Sequence, residues 1–228
     1  MKKNFKHILT QLFTKYKHSL PLISYGVIYL LWFVWLEKTV TRHFTVIHLA
    51  IDDYIPFCEL FVVPYFLWFL YVAGVVLYFF FKSKPDFYKA CIFLFTGMTV
   101  FLIVSTLWPN GHYLRPFVMP RDNIFTQMIA FLYRTDTPTN LWPSIHVYNS
   151  IGAHLAISKS ALFEKRKGLR IASLILAISI ILSTVFIKQH SVFDMLTAFL
   201  MAIPMYRIVY GKGFALGSRH HVQKPQLG

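Results

Sequence analysis

Charge is scarce in this sequence: 14% of its 228 residues are Asp, Glu, Lys or Arg, against roughly 25% in an ordinary soluble domain. That shortage argues against a water-soluble fold. Acids are scarcer still, nine against 23 lysines and arginines. The resulting charge of +14 raises the question of nucleic acid, yet no basic segment carries the aromatic or glycine pattern of a nucleic-acid module, so no nucleic-acid partner is expected. Cysteine is limited to Cys58 and Cys91, a separated pair that supports neither a disulfide framework nor a zinc site. With no H-x-x-x-H pair, a metal site would have to draw on His146, His190 and Asp194, and no metal is expected. Internal repeats, low-complexity tracts and interdomain linkers are missing too. What the chain has in abundance is apolar residue, 56% hydrophobic and 18% aromatic, in uncharged runs that match the roughly 20 residues needed to cross a bilayer.

The runs fall at 20–36, 60–81, 90–108, 142–158, 171–187 and 195–206. They predict an all-α polytopic integral membrane protein with six transmembrane helices. The last run reaches spanning length if it starts back at Gln189, which brings His190 and Asp194 into its first turns. A further apolar stretch, 123–133, is too short to span and predicts a short interfacial helix in the third-to-fourth loop. The expected organisation is a basic N-terminal segment (1–19), a six-helix membrane catalytic domain (20–210) and a flexible tail (211–228). The many aromatic residues read as lipid-facing bulk and interfacial belt.

Orientation follows from the basic residues. They cluster in the first segment (Lys2, Lys3, Lys6, Lys15, Lys17), the second-to-third loop (Lys82, Lys84, Lys89), the fourth-to-fifth loop (Lys159, Lys165, Arg166, Lys167, Arg170) and the tail (Arg207, Lys212, Arg219, Lys224). These all fall on one side, so both termini are expected in the cytoplasm, and the excess charge reads as the orientation signal plus attraction to anionic membrane lipid. The first apolar run lacks a small-residue cleavage site, so the first helix is expected to stay as an anchor, in a plasma (inner) membrane. Lys38, Arg42, Arg115, Arg121, Arg134 and Lys188 remain for the opposite face.

Three polar groups converge on that face. Arg115-Pro116 lies in the third-to-fourth loop, Pro143-Ser144-Ile145-His146 at the mouth of the fourth helix, and Ser183, Lys188, His190 and Asp194 around the turn between helices five and six. The i, i+4 spacing of His190 and Asp194 puts both on one face of a helix, where the carboxylate can orient the imidazole and make it more basic. An oriented imidazole serves as nucleophile, general base or metal ligand. Pro143 and Ser144 read as the first turn and cap of a helix whose N–H groups can cradle a phosphate. His146 is then placed to protonate a departing oxygen, with Arg115 and Lys188 charging the phosphoryl site. His154 reads as a hydrogen-bonded buried histidine, and His112 and Tyr113 as solvated loop residues.

At these residues the sequence resembles the type 2 phosphatidic acid phosphatase superfamily, six-helix membrane enzymes with three motifs on the outer side: K-x6-R-P, P-S-G-H and S-R-x5-H-x3-D. Here they stand as Arg115-Pro116, as Pro143-Ser144-Ile145-His146, and as Ser183-Thr184 followed by His190 and Asp194 at the family's intervals. The chain departs from the pattern at Trp108 in place of the lysine, Ile145 in place of the glycine and Thr184 in place of the arginine. Lys188, one helical turn after Thr184, and Arg121 are the candidate replacements for the lost cations. The resemblance implies a lipid phosphatase acting at the extracytoplasmic face through a phosphohistidine at His190, oriented by Asp194, with His146 as proton donor. Arg115, Ser144, Lys188, Arg121 and Ser183 would hold the phosphate, without cofactor. The form without glycine is also similar to the lipid phosphotransferase branch, including the inositol phosphorylceramide and sphingomyelin synthases, in which an alcohol replaces water. A non-enzymatic lipid transporter would instead spread polar residues through the depth of the bundle.

Overall fold

The computed structural model describes residues 16–17 and 19–211. Most of the basic first segment and the tail beyond 211 lie outside the described residues. Among the described residues the chain forms eight α-helices: α1 (Ser19–Thr39), the short α2 (Ala50–Tyr54), α3 (Val62–Lys82), α4 (Lys84–Leu107), α5 (Ile124–Thr135), α6 (Ile145–Lys159), α7 (Lys167–Phe186) and α8 (Val192–Tyr210). A two-residue parallel pairing of β1 (Thr45–Val46) with β2 (Asn110–Gly111) ties the loop after α1 to the loop after α4.

Among the described residues five helices are long and apolar enough to cross a membrane: α1, α3 with the 3-10 turn before it, α4, α7 and α8. Their outward faces expose large apolar residues such as Leu31, Leu70, Ile175 and Leu200, which water would disfavour and lipid accepts. The chain is a mostly helical membrane protein. The run at 142–158 forms α6, whose 15 residues fall short of the roughly 20 of a full crossing.

α6 is the central helix, packed against α3, α4, α7 and α8. Its contact with α4 depends on two glycines. A Cβ at Gly97 would lie 2.1 Å from the Tyr148 ring, and one at Gly152 would lie 2.6 Å from the Phe93 ring. The two aromatic rings stack at 4.7 Å in the space so made, and the Tyr148 hydroxyl donates to the Phe93 carbonyl at 3.1 Å. Lipid is as apolar as these side chains, so close packing of this kind holds helices together where the hydrophobic effect cannot.

The chain alternates direction, which brings the ends of α1, α4 and α7 and the starts of α3, α6 and α8 to one end of the bundle. Backbone bonds lace the connecting segments there: Thr45 N–H to Pro109 C=O at 2.8 Å, Cys58 N–H to Phe186 C=O at 3.0 Å and Ser144 N–H to Asp194 C=O at 3.3 Å. All three motif segments meet at this laced end.

Candidate active site

The turn carrying His190 begins where α7 stops. Lys188 adopts a left-handed backbone, φ 54°, and the Thr184 carbonyl accepts the N–H groups of both Gln189 and His190 at 2.9 Å. A left-handed residue other than glycine costs about 1 to 2 kcal/mol. The Lys188 ammonium offsets that strain by donating to the carbonyls of Asp52 at 2.7 Å and Ile55 at 2.6 Å. The expected stacking of Lys188 over Thr184 on one helix face is therefore corrected: the helix ends at Phe186, and the lysine reaches sideways to the α2 segment.

The expected helical start at Gln189 is corrected as well. α8 begins at Val192, with Ser191 as its cap. The Ser191 hydroxyl accepts the Phe193 N–H at 3.1 Å, and the Asp194 carboxylate accepts the Ser191 N–H at 3.0 Å. His190 thus precedes the helix. Its Nδ1 lies 3.3 Å from Asp194 Oδ2 because the capping box folds that carboxylate back over the turn, and not because the two residues share a helix face. The Ser191-Val192-Phe193-Asp194 spacing carried this signal in the sequence.

On its other side His190 meets His146 at the start of α6, with Nε2 3.2 Å from His146 Nδ1. Donation from His190 Nδ1–H to the carboxylate leaves Nε2 with its lone pair, which accepts the His146 Nδ1–H. One line of polar atoms therefore runs from His146 through His190 to Asp194. His190 is 4% exposed and Asp194 fully buried. His146 is boxed by two α3 aromatics, the Tyr65 ring at 4.7 Å and the Trp68 ring at 4.2 Å, which corrects their reading as lipid-facing bulk.

Arg115 completes the cluster. Its guanidinium, 11% exposed, lies 3.8 Å from the Asp136 carboxylate and donates to the carbonyls of Tyr133, Asp136 and Thr137 and to Gln189 Oε1. It also sits 4.5 Å over the Tyr133 ring. Arg115 Nε and Trp68 Nε1 are buried donors with no hydrogen-bond partner among the described residues. Such donors are uncommon and call for an explanation.

The other sequence-predicted residues are engaged elsewhere. Ser144 caps α6 through its hydroxyl and Val147 N–H. The Ser183 hydroxyl donates back to Ile180 C=O at 2.6 Å. Arg121 forms a forked pair with Glu59, at 2.6 and 2.5 Å. His154 bonds Ser173 Oγ at 3.1 Å, inside the bundle as expected. His112 is fully buried instead of solvated. Its Nδ1 accepts Leu114 N–H, so its Nε2–H donates to the Gln189 carbonyl at 3.0 Å and props the His190 turn.

Two of these imidazoles resist protonation. Burial first, and the Arg115 charge second, pushes His190 down to about 3; burial pushes His112 down to about 4. Unfolded histidines take up protons near pH 6.5. Between pH 6.5 and 4 the unfolded chain therefore holds more protons at these sites, and their contribution to stability is lost as pH falls. The fall in Tm between pH 7 and pH 4.5, read by thermal unfolding in detergent, should be smaller in His112→Asn than in wild type; an unchanged fall would contradict a buried neutral His112.

Among the described residues no group of three or more His, Cys, Asp or Glu side chains is arranged to hold a metal ion. Compared with known proteins, the chain matches no family model, no curated protein and no solved structure.

Proposed function

We propose that the protein is a membrane enzyme that hydrolyses a lipid phosphate or pyrophosphate through a phosphohistidine at His190. The observation that carries this reading is the buried line His146–His190–Asp194 beside a single guanidinium, Arg115. A histidine held neutral, with one nitrogen fixed on a carboxylate and the lone pair of the other released for attack when His146 turns aside, is what nucleophilic catalysis on phosphorus requires. Arg115, with its free Nε–H, and the Trp68 indole N–H supply donors for the nonbridging oxygens. Lys188 and Arg121, tied to other partners, are left out of this role.

In the first step His190 Nε2 forms a bond to phosphorus while the bond to the leaving oxygen breaks, and that oxygen takes a proton from His146, which enters the step as imidazolium and leaves it as neutral imidazole. Water then attacks the phosphohistidine and gives its proton back to His146, releasing phosphate and free His190. The 3.2 Å contact between the two rings is too short to admit a phosphoryl group, so His146 turns aside as substrate enters. An apolar cavity of about 280 Å³ at the laced end, lined by Trp108, Trp142 and Phe193 among others, offers room for the lipid portion. In this reading α6 makes a sixth, short crossing, α5 lies along the outer surface, and the laced end faces away from the cytoplasm.

The second reading, a lipid phosphotransferase, is favoured by the dryness of the site, with Ser144 and Asp194 fully buried. A site that excludes water suits a lipid alcohol as acceptor. Purified protein should release phosphate from at least one of phosphatidate, phosphatidylglycerol phosphate and polyprenyl pyrophosphate in mixed micelles, and chelator should leave the rate unchanged. Dephosphorylation of phosphatidylglycerol phosphate or polyprenyl pyrophosphate without free phosphate, only when diacylglycerol is added and with an equal amount of phosphatidate formed, would select the transferase. No turnover of any of the three under either condition would overturn the proposal.

A further inference from the structure

The buried carboxylate of Asp52 lies outside the proposed chemistry and outside all three motifs. It comes from α2, in the loop after α1, and is 2% exposed. Oδ2 accepts the Ser191 hydroxyl at 2.6 Å and the Leu49 N–H at 2.8 Å, and Oδ1 accepts the Val192 N–H at 2.8 Å. The backbone carbonyl of the same residue accepts the Lys188 ammonium. Contacts from this one residue therefore bracket His190 on both sides in the chain, at 188 and at 191–192. A negative charge at the start of α8 is also favoured by the helix dipole.

We propose that Asp52 is a positioning residue for His190, a clamp from the first outer loop that fixes the turn carrying the nucleophile against Asp194 and His146. The proposal rests on the phosphohistidine reading for its kinetic part, while the clamp itself is a property of the fold. Reaction at a nucleophile is steep in geometry, and a misplacement of about 1 Å can lower the rate about a hundredfold. Asp52 does not reach the reacting atoms, so its loss should disturb the chemical step more than the capture of substrate.

The test compares wild type, Asp52→Asn and Asp52→Ala. Asparagine keeps an oxygen for the Val192 N–H but cannot replace both carboxylate oxygens; alanine removes them all. The expected result in Asp52→Ala is a kcat lower by about thirtyfold with KM within threefold, and Asp52→Asn between it and wild type. Amide hydrogen exchange read by mass spectrometry should quicken at least tenfold over 188–193 in Asp52→Ala, with α3 and α4 unchanged. If alanine prevents folding, Asp52→Asn carries both measurements, with smaller changes in the same directions. Unchanged exchange over 188–193, exchange quickened equally in every helix, or a KM that rises as much as kcat falls would each overturn the clamp. If the wild-type protein turns over no lipid phosphate, with or without an acceptor alcohol, the phosphohistidine reading fails, and the exchange measurement still decides the clamp.

Discussion

His190→Ala is expected to reduce phosphate release below about a hundredth of the wild-type rate, because no neighbouring group can replace a nucleophile that forms the covalent intermediate. The variant must be shown to fold, since His190 is buried and both of its ring nitrogens are engaged, by His146 and by Asp194. Its removal leaves the Asp194 carboxylate with the Ser191 N–H as its remaining hydrogen bond, and a buried polar group that loses a partner costs about 1 to 3 kcal/mol. His190→Gln is the companion variant. Its amide can still donate to Asp194 but cannot form a stable phosphoryl adduct, so it should keep a Tm near wild type and be as inactive as alanine. A folded Gln variant with more than about a hundredth of the activity would remove His190 from the nucleophile's role.

How much of this was legible in the sequence varies with the range of the interaction. The long helices were legible because a bilayer imposes both length and hydropathy: the run at 60–81 lies within one residue of α3 with its preceding turn at both ends, and the run at 171–187 ends one residue past α7, which starts four residues earlier at Lys167. The His190–Asp194 contact was legible by spacing, although the cause proved to be a capping box. The end of α7 was not. A left-handed turn is normally signalled by glycine or asparagine, and here a lysine takes that conformation because distant carbonyls hold its ammonium. Tyr65 and Trp68 were hidden for the opposite reason: apolar aromatics inside a span default to lipid, and only the helix arrangement turns these two onto His146. Asp52, His112, Asp136 and Gln189 join the site through contacts between residues far apart in the chain, which one sequence does not encode in any local pattern. Arg121 was assigned to the phosphate because it was a spare cation near the site in sequence, yet Glu59 at the start of the second span holds it.

The role of His146 separates the proposed mechanism from one in which the ring merely supports His190. A positioned general acid contributes about a hundredfold to ten-thousandfold, and that contribution depends on how badly the leaving oxygen needs a proton. A lipid alkoxide needs it; a nitrophenolate, whose conjugate acid is far stronger, leaves without it. His146→Asn is the informative change, since the amide fills part of the space between Tyr65 and Trp68 and can still donate to His190 Nε2, but it cannot deliver a proton to a leaving group. With a lipid phosphate its rate should fall about a thousandfold, and with a nitrophenyl phosphate only about tenfold. His190→Gln should lose both activities alike, because the nucleophile is needed whatever departs. The ratio of the two losses in His146→Asn is the discriminating quantity, being insensitive to the amount of active protein in the preparation. Equal losses on both substrates would mean that His146 acts through its 3.2 Å contact with His190, as a support for the nucleophile, and the proton for the leaving oxygen would then have to come from another donor.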